Sequence, residues 1–388
     1  MPKPPPNSVP GRRVKRLITN AIVIFVISVL AALAITHQTG GAGFSMPPAD
    51  NSSSAKSLGN SQMAPADKKS SSVAATDGYK LETGPLAVTE VSEIVLRDSQ
   101  RNKELHLRVF YPVETGKYPL IIFSHGAGGS QNCCDSLTRH WATYGYVTIQ
   151  PTHEDSYLQH GTAGNDSRAA LAFAKAVHEA LKNPALWESR PRDISFILDS
   201  LPDLQKRIAG LSSKIDTARI GIGGHSMGSY TSEAIAGALI DLPNKTASNF
   251  SDPRVKAFLC LSPQGPGQFG LTSHSFDNIS LPYLGITGSQ DSLGPIASPA
   301  WHKIPFERSQ PGNKFHLFIT GANHMSFISA ESLLPARSSQ AAAIFGYTNS
   351  ASLAFWDGYL KDDPAARQFL QSDAMETSSH GVAKLSRR

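Results

Sequence analysis

An apolar stretch that ends in a glycine-flanked serine constrains the fold of this chain more than any other feature. Residues 219–228 read RIGIGGHSMG, and helix-compatible residues follow them. A strand, a sharp turn and a helix in that order predict a nucleophile elbow, in which the strained backbone of Ser226 holds its hydroxyl clear of a sheet. Gly224 and Gly228 lack the Cβ atoms that would collide in such a turn. The pattern therefore predicts Ser226 as a nucleophile.

From Tyr79 onward, short apolar runs alternate with amphipathic stretches. The first two predicted strands are separated only by the turn 98–102 and predict an antiparallel hairpin, whereas the later ones are separated by helices. This alternation predicts an α/β fold with a mostly parallel central sheet and helices on both faces. The predicted strands are 90–97, 105–111, 120–125, 146–151, 220–224, 255–262, 283–288 and 315–320. The predicted helices are 137–144, 168–180, 192–209, 229–239 and 351–360.

Two further residues complete the chemistry that a serine nucleophile needs. A serine hydroxyl needs a base to take its proton, and the base needs an acid that orients it. In this fold the order along the chain is serine, acid, histidine. Asp291 and His324 each follow a predicted strand, as Ser226 does, so all three should meet at the carboxyl end of the sheet. The competing acids are Asp252, which precedes a predicted strand, and Asp277, in an uncertain loop. The competing histidines are His316, inside a predicted strand, and His274 and His302, which precede no suitable element.

A glycine-rich segment predicts the second half of an oxyanion hole. Residues 124–130 read SHGAGGS after a predicted strand, and glycines let a backbone approach a substrate closely. We predict that the N–H groups of Ala127 and Met227 bind the oxyanion. The segment is also compatible with an ordinary β–α turn, and a phosphate cradle is disfavoured because no lysine follows it. His225, next to the nucleophile, is expected to be structural.

Four stretches carry a resemblance to a known group of proteins. They are YPLIIFSHGAG (118–128), RPRDISFILD (190–199), GGHSMG (223–228) and GANHMSF (321–327). In these stretches the chain resembles α/β hydrolases of the platelet-activating-factor acetylhydrolase and dienelactone-hydrolase-like group, and also the cutinase-like polyester hydrolases. The resemblance implies that Ser226 is the nucleophile, that Ala127 and Met227 are the oxyanion donors, and that His324 is the base.

The chain departs from this pattern in two places. Dienelactone hydrolases proper use a cysteine as nucleophile, whereas this chain has Ser226. In the acetylhydrolases the acid lies on the strand directly after the elbow, but here that position reads Leu261-Ser262-Pro263, without an acid. We therefore expect the acid one strand later, at Asp291, as in the polyester hydrolases.

The N-terminal region predicts an exported protein. Residues 17–35 form an apolar run without charge, and the 16 residues before it carry five basic and no acidic side chains. Such a run can span the hydrocarbon core of a bilayer, with the basic side in the cytoplasm. We predict a transmembrane anchor and a catalytic domain in the periplasm or outside the cell. The alternative is secretion after cleavage of a signal peptide near 32–34. Residues 36–78 are predicted to be a disordered linker, 79–375 the catalytic domain and 376–388 a disordered tail.

Charge and cysteine content exclude other classes of function. Beyond residue 16 the acidic and basic side chains balance, so no basic face for nucleic acid is indicated. No HExxH or Cys/His ligand spacing is present, and neither a metal nor another cofactor is expected. Cys133, Cys134 and Cys260 form no dense disulfide framework, and a bridge from Cys260 to one of the other two is left open.

Together these features predict a serine hydrolase of carboxylic esters that acts through an acyl-enzyme. Its partner would be a small-molecule or lipid ester, including a short-acyl phospholipid. Two alternatives remain: an envelope acyltransferase that uses the same three residues, and a non-catalytic, tethered binding module on a hydrolase fold.

Overall fold

A twisted sheet forms the centre of the computed structural model, which describes residues 78–160, 167–294, 297–328 and 339–388. The strands are β1 (Val88–Asp98), β2 (Lys103–Pro112), β3 (Tyr118–Ser124), β4 (Val147–Thr152), β5 (Ile215–His225), β6 (Leu239–Leu242), β7 (Lys245–Asn249), β8 (Val255–Leu261), β9 (Tyr283–Gln290), β10 (Lys314–Asn323) and β11 (Ala383–Arg387). The order in the main sheet is β1-β2-β4-β3-β5-β8-β9-β10-β11, and β6 pairs with β7 separately.

Strand direction in the main sheet matches the prediction. The ladders from β4 through β3, β5, β8 and β9 to β10 are parallel, whereas β1 and β2 form an antiparallel hairpin that continues antiparallel onto β4. The predicted mostly parallel sheet with an antiparallel N-terminal hairpin is confirmed. Because β5, β9 and β10 run in the same direction, Ser226, Asp291 and His324 all follow carboxyl ends at one edge of the sheet.

The helices are α1 (Asp135–Thr143), α2 (Ser167–Lys182), α3 (Pro184–Asp199), α4 (Leu201–Arg207), α5 (Met227–Ile235), α6 (Pro299–Arg308), α7 (Ser339–Leu360), α8 (Pro364–Gln371) and α9 (Ala374–Ser378). The prediction of one helix over 192–209 is wrong, because two helices meet at Ser200. The first begins earlier, where the Asn183 side chain accepts a hydrogen bond from the N–H of Ala185 and Pro184 takes the first helical position. The second begins with Leu201-Pro202, where proline again suits a first turn.

Two apolar layers cover the two faces of the sheet. In β3, Leu120 and Ile122 pack in one cluster, which also contains residues of α3 and α5. Ile121 and Phe123 pack in the other, which contains residues of α1 and α7. Consecutive strand residues point to opposite faces, so helices lie on both sides. Burial of both faces explains why the central strands are nearly continuous apolar runs.

The prediction of a disordered tail over residues 376–388 is wrong. Residues 374–378 form α9, and β11 pairs antiparallel with β10, with Leu385 opposite Leu317. Ala383 and Leu385 are buried, while Lys384 between them is exposed. An edge strand needs only one apolar face, and two alternating apolar side chains among charged ones suffice for it. That signal is too short to distinguish from a polar tail in the sequence.

The prediction of a membrane anchor is not supported and is withdrawn, together with the membrane-anchored localisation. Among the residues that the structure describes, no helix has the length and apolar character needed to cross a bilayer. Residues 17–35, on which the prediction rested, lie outside the described residues, as do the basic segment 1–16 and all but the last residue of the predicted linker 36–78.

Candidate active site

The segment around Ser226 forms a sharp turn between β5 and α5. Ser226 has φ 56° and ψ −118°, a backbone conformation that side-chain-bearing residues rarely adopt. Its neighbours on both sides are buried, whereas Ser226 itself is partly exposed. The strain is tolerated because β5 and α5 are both held in the core. This is the geometry that the glycine-flanked pattern predicted for a nucleophile elbow.

Gly224 and Gly228 are required by close backbone contacts in this turn. A Cβ atom on Gly224 would lie 2.1 Å from the carbonyl oxygen of Gly228. One on Gly228 would lie 1.9 Å from the carbonyl oxygen of Ser124, the last residue of β3. Neither oxygen can move without displacing a strand end or the start of α5. The two glycines therefore let the elbow pack directly against the end of β3.

Gly228→Ala is expected to reduce the ester hydrolysis predicted from the sequence by at least about 100-fold, because displacement of Ser124 would also shift the glycine-rich loop that follows β3. Steady-state hydrolysis of p-nitrophenyl butyrate measures the effect. Gly346→Ala in α7 is the matched control, since the new methyl group meets only an ordinary contact at 3.7 Å, and it should keep wild-type activity. Equal activity in the two variants would contradict the proposed role of the close contact.

Asp291 and His324 form a buried pair at the carboxyl ends of β9 and β10. His324 Nδ1 lies 2.9 Å from Asp291 Oδ1. The other oxygen of Asp291 accepts hydrogen bonds from Ser262 Oγ at 2.7 Å and Thr287 Oγ1 at 2.8 Å. Burial by itself would raise the pKa of Asp291, but the imidazole rings of His302 and His324 beside it hold that pKa well below its usual range. An ionised Asp291 fixes the proton of His324 on Nδ1, so Nε2 carries the lone pair of a base.

His225 connects the elbow to the loop that carries His324. Its Nε2–H donates to the carbonyl oxygen of His324 at 2.8 Å, and the two imidazole rings lie 4.7 Å apart. Burial lowers the pKa of His225 to about 3, so the ring is neutral. The expectation that His225 is structural agrees with this contact. The residue next to the predicted nucleophile thus holds the backbone of the predicted base.

The predicted oxyanion donors lie on the two segments that adjoin Ser226. A Cβ atom on Gly126 would lie 3.5 Å from the Cβ of Ser226, so the loop before Ala127 contacts the elbow directly. Met227 is the first residue of α5, and its N–H is among the donors that a helix leaves without an intrahelical partner. In the loop, Gly128 N–H donates to Asp155 Oδ2 and Gly129 N–H to the Gly126 carbonyl. Ala127 lies between Gly126 and Gly128 and is partly exposed.

Comparison with known proteins identifies sequences that are similar to this chain. A family model described as Chlorophyllase matches residues 78–252. A cutinase from Thermobifida alba is 25% identical over 220 residues, which is 56% of this chain and 57% of that protein. A platelet-activating factor acetylhydrolase from Bos taurus is 31% identical over 137 residues, 30% of this chain and 31% of that protein. The chain thus spans little more than half the length of the cutinase and less of the acetylhydrolase.

The order of the sheet, the sharp turn at Ser226 and the similar proteins all indicate the same fold. The chain has the α/β-hydrolase fold. The predicted resemblance to platelet-activating-factor acetylhydrolases and cutinases is confirmed. The region that matches the family model contains the glycine-rich loop and the elbow but ends before Asp291 and His324. The assignment of these two residues therefore rests on their position in the α/β-hydrolase fold and on their mutual hydrogen bond.

A buried ion pair behind the glycine-rich loop was not predicted. Arg190 of α3 is 1% exposed and forms two hydrogen bonds with Asp155, from Nε at 2.9 Å and from Nη2 at 2.7 Å. It also donates to the carbonyl oxygens of His125 at 2.7 Å and Gly126 at 3.2 Å. Together with the bond from Gly128 N–H to Asp155, these contacts fix the backbone on both sides of Ala127. Arg190 belongs to a stretch that carried the resemblance, but the sequence offers no means of pairing it with Asp155.

A second serine–histidine–aspartate chain lies behind the same loop. Ser124 Oγ is 2.8 Å from His153 Nε2, and His153 Nδ1 is 2.8 Å from Asp193 Oδ2. None of the three side chains is exposed, so Ser124 has no access to a substrate. Burial lowers the pKa of His153 to about 4, which keeps the ring neutral. Lys103 also lies 2.9 Å from Asp193, and this chain is therefore a structural support.

His302 of α6, one of the histidines that the sequence pattern disfavoured, is a third imidazole at the Asp291–His324 pair. Its side chain is fully buried, and its Nδ1 lies 2.6 Å from the carbonyl oxygen of Pro263. Its Nε2 lies 3.3 Å from Asp291 Oδ1 without forming a hydrogen bond. The contact depends on how α6 packs against β9, which local sequence patterns do not report.

The three cysteines are free, with Cys133 Sγ 3.0 Å from Cys134 Sγ and Cys260 buried in the core.

Proposed function

We propose that this protein is a serine hydrolase of carboxylic esters. The observation that carries the proposal is the buried Asp291–His324 hydrogen bond at the same sheet edge as Ser226. A strained, partly exposed serine and a histidine whose Nδ1–H is held by a carboxylate are the two parts that nucleophilic catalysis by serine needs. The names of the relatives, cutinases and platelet-activating factor acetylhydrolases, support an ester as the substrate.

In the first half-reaction the Ser226 oxygen attacks the carbonyl carbon of the ester while its proton passes to His324 Nε2. The carbonyl electrons move onto oxygen, and the N–H groups of Ala127 and Met227 bind the resulting oxyanion. Asp291 stabilises the imidazolium that forms on His324. Collapse of the intermediate breaks the ester C–O bond, and the alcohol leaves with the proton from Nε2. Ser226 then carries the acyl group.

In the second half-reaction water takes the place of the alcohol. His324 Nε2 accepts a proton from the water as its oxygen attacks the acyl carbon, and the same two N–H groups bind the second oxyanion. Collapse returns the proton to the Ser226 oxygen and releases the acid. The cycle needs no group beyond those of this chain. A small-molecule or lipid ester with a short acyl chain is the substrate class that we propose.

A fluorophosphonate probe tests the proposal directly. We expect it to form one covalent adduct on the peptide that contains Ser226, as measured by mass spectrometry, because only an activated serine attacks the phosphorus. Hydrolysis of p-nitrophenyl acetate and butyrate should be lost in proportion to labelling. A folded protein that neither reacts with the probe nor hydrolyses either ester would instead be a non-catalytic module. A series of p-nitrophenyl esters from acetate to dodecanoate, together with phospholipids, then defines the acyl chain.

A further inference from the structure

Three side chains at the candidate active site have the composition of a transition-metal site. Asp291, His302 and His324 each present one ligand atom, and these atoms all lie within 4.8 Å of one another. His324 Nδ1 and His302 Nε2 are 2.9 and 3.3 Å from Asp291 Oδ1. All three residues are buried. The cluster comes from the ends of β9 and β10 and from α6, so three separate elements hold it.

The hydrogen bond of His302 determines which of its nitrogens can bind a metal ion. The carbonyl oxygen of Pro263 can only accept, so the short contact at 2.6 Å requires a proton on His302 Nδ1. Nε2 is then the nitrogen that remains for a metal ion. This nitrogen is fully buried, has no hydrogen-bond partner among the described residues and faces the carboxylate of Asp291. A cation between Nε2 and the Asp291 oxygen would give this nitrogen a partner.

The same arrangement is typical of histidines that bind metals. Such a histidine coordinates through one nitrogen while a carbonyl or carboxylate fixes the other N–H. Two imidazoles and one carboxylate suit Zn²⁺, whose bonds to nitrogen and oxygen of about 2.0–2.2 Å separate neighbouring ligand atoms by roughly 3.3 Å. The distances of 2.9 and 3.3 Å to Asp291 Oδ1 are already close to that separation. We propose that Asp291, His302 and His324 form an inhibitory Zn²⁺ site.

Occupation of this site excludes the proposed catalysis. To bind Zn²⁺ through Nδ1, His324 transfers its Nδ1 proton to Nε2, so this residue neither gains nor loses a proton. Nε2 then carries a proton and can no longer accept one from Ser226. The metal also takes the Asp291 oxygen that orients the ring. Inhibition therefore rests on the proposed function, whereas binding of the metal does not.

Binding is measured on a variant that cannot turn over substrate. Ser226→Ala protein, freed of metals with EDTA and dialysed, is titrated with zinc sulfate by calorimetry in a non-chelating buffer. We expect one Zn²⁺ per chain and at least a tenfold loss of affinity when His302→Gln is added. His274→Gln is the matched control, because His274 also lies beside a carboxylate, 2.9 Å from Asp277, but on the surface. It should leave the affinity unchanged.

A variant of a second proposed ligand, His324, provides an independent test of Zn²⁺ binding. If His302→Gln does not fold, as judged by circular dichroism, then His324→Gln in the same background should cause a comparable loss of affinity. Absence of Zn²⁺ binding by Ser226→Ala protein overturns the proposal, and so does binding that neither ligand variant weakens.

Inhibition is measured on the wild-type protein. At a Zn²⁺ concentration that saturates the site in calorimetry, hydrolysis of p-nitrophenyl butyrate should fall at least tenfold and return after EDTA is added. Full activity at saturation overturns the inhibitory role. If the wild-type protein has no esterase activity while binding still depends on His302, the proposed function fails and the metal site stands.

Discussion

Replacement of Ser226 by alanine is expected to lower kcat/KM for p-nitrophenyl butyrate by roughly 10⁵-fold. The reason is that the acyl-enzyme can no longer form, so the remaining rate comes only from oxyanion binding and from substrate positioning. Ser99→Ala, at an exposed position in the turn between β1 and β2, should keep wild-type activity. Retention of more than a tenth of the activity by Ser226→Ala would place the nucleophile elsewhere.

A double variant of Ser226 and His324 tests whether the two residues act together. Residues that act as one unit have effects that do not add. His324→Ala alone should cost about as much as Ser226→Ala, and the combination should be little worse than either. If the two losses instead multiply, His324 does not act on the proton of Ser226. A steady-state assay with the four proteins is sufficient, and circular dichroism of each one controls for folding.

Asp155→Asn is expected to lower the free energy of unfolding by about 3–5 kcal/mol, because it leaves the charge of the buried Arg190 without its partner. Glu188→Gln is the matched control, since its ion pair with Arg192, on the same helix as Arg190, is exposed and should cost less than about 1 kcal/mol. Denaturant titrations of both variants give the comparison. If the two variants have equal free energies of unfolding, the buried pair does not stabilise the fold more than the exposed one.

The stability contributed by Asp155 should depend on pH with a definite sign. Burial alone would raise the pKa of Asp155, but the charge and hydrogen bonds of Arg190 outweigh it and lower the pKa. A depressed folded-state pKa gives stability that is fully present above the unfolded value of about 3.9. It is lost as the pH falls below that value toward the folded pKa. The gap between wild type and Asp155→Asn should therefore be constant near neutrality and narrow in acid.

Activity measurements test whether the Arg190–Asp155 pair also positions the loop around Ala127. Asp155→Asn should lower kcat more than KM changes, because the loop around Ala127 loses contacts that fix its backbone, and oxyanion binding matters mainly in the transition state. A purely structural pair would leave kcat unchanged in the fraction that remains folded. The measurement is made at a temperature where both proteins are fully folded.

The central strands could be predicted because each is a compact apolar run. All eight predicted strands are present; the run 255–262, for example, is the strand Val255–Leu261. Their ends shift by at most three residues, except that β5 begins at Ile215 rather than at residue 220. The order of Ser226, Asp291 and His324 also follows from the chain, because each comes directly after such a run. Their catalytic roles remain predictions, and the structure adds the hydrogen bond between Asp291 and His324.

The features that escaped prediction depend on contacts between distant residues. The strand Ala383–Arg387 is stable only because β10 offers it an edge. Arg190 and Asp155 are 35 positions apart in the sequence and meet through the packing of α3 behind β3. His302 approaches Asp291 only because α6 packs against β9. Local patterns report which residues are apolar, but they do not report which buried polar groups will face one another.

The parallel pairing of β3 with β5 has a consequence for the order of folding. Ile122 pairs with Ile222, a hundred positions further along the chain, whereas Ile286 in β9 pairs with Leu317 much closer to it. Closing the longer loop costs more conformational entropy before any contact compensates for it, and non-local parallel pairing is slow. We expect the helices and the β9–β10 ladder to form before the elbow. Ser226, the proposed nucleophile, would therefore reach its strained conformation only after the β9–β10 ladder has formed.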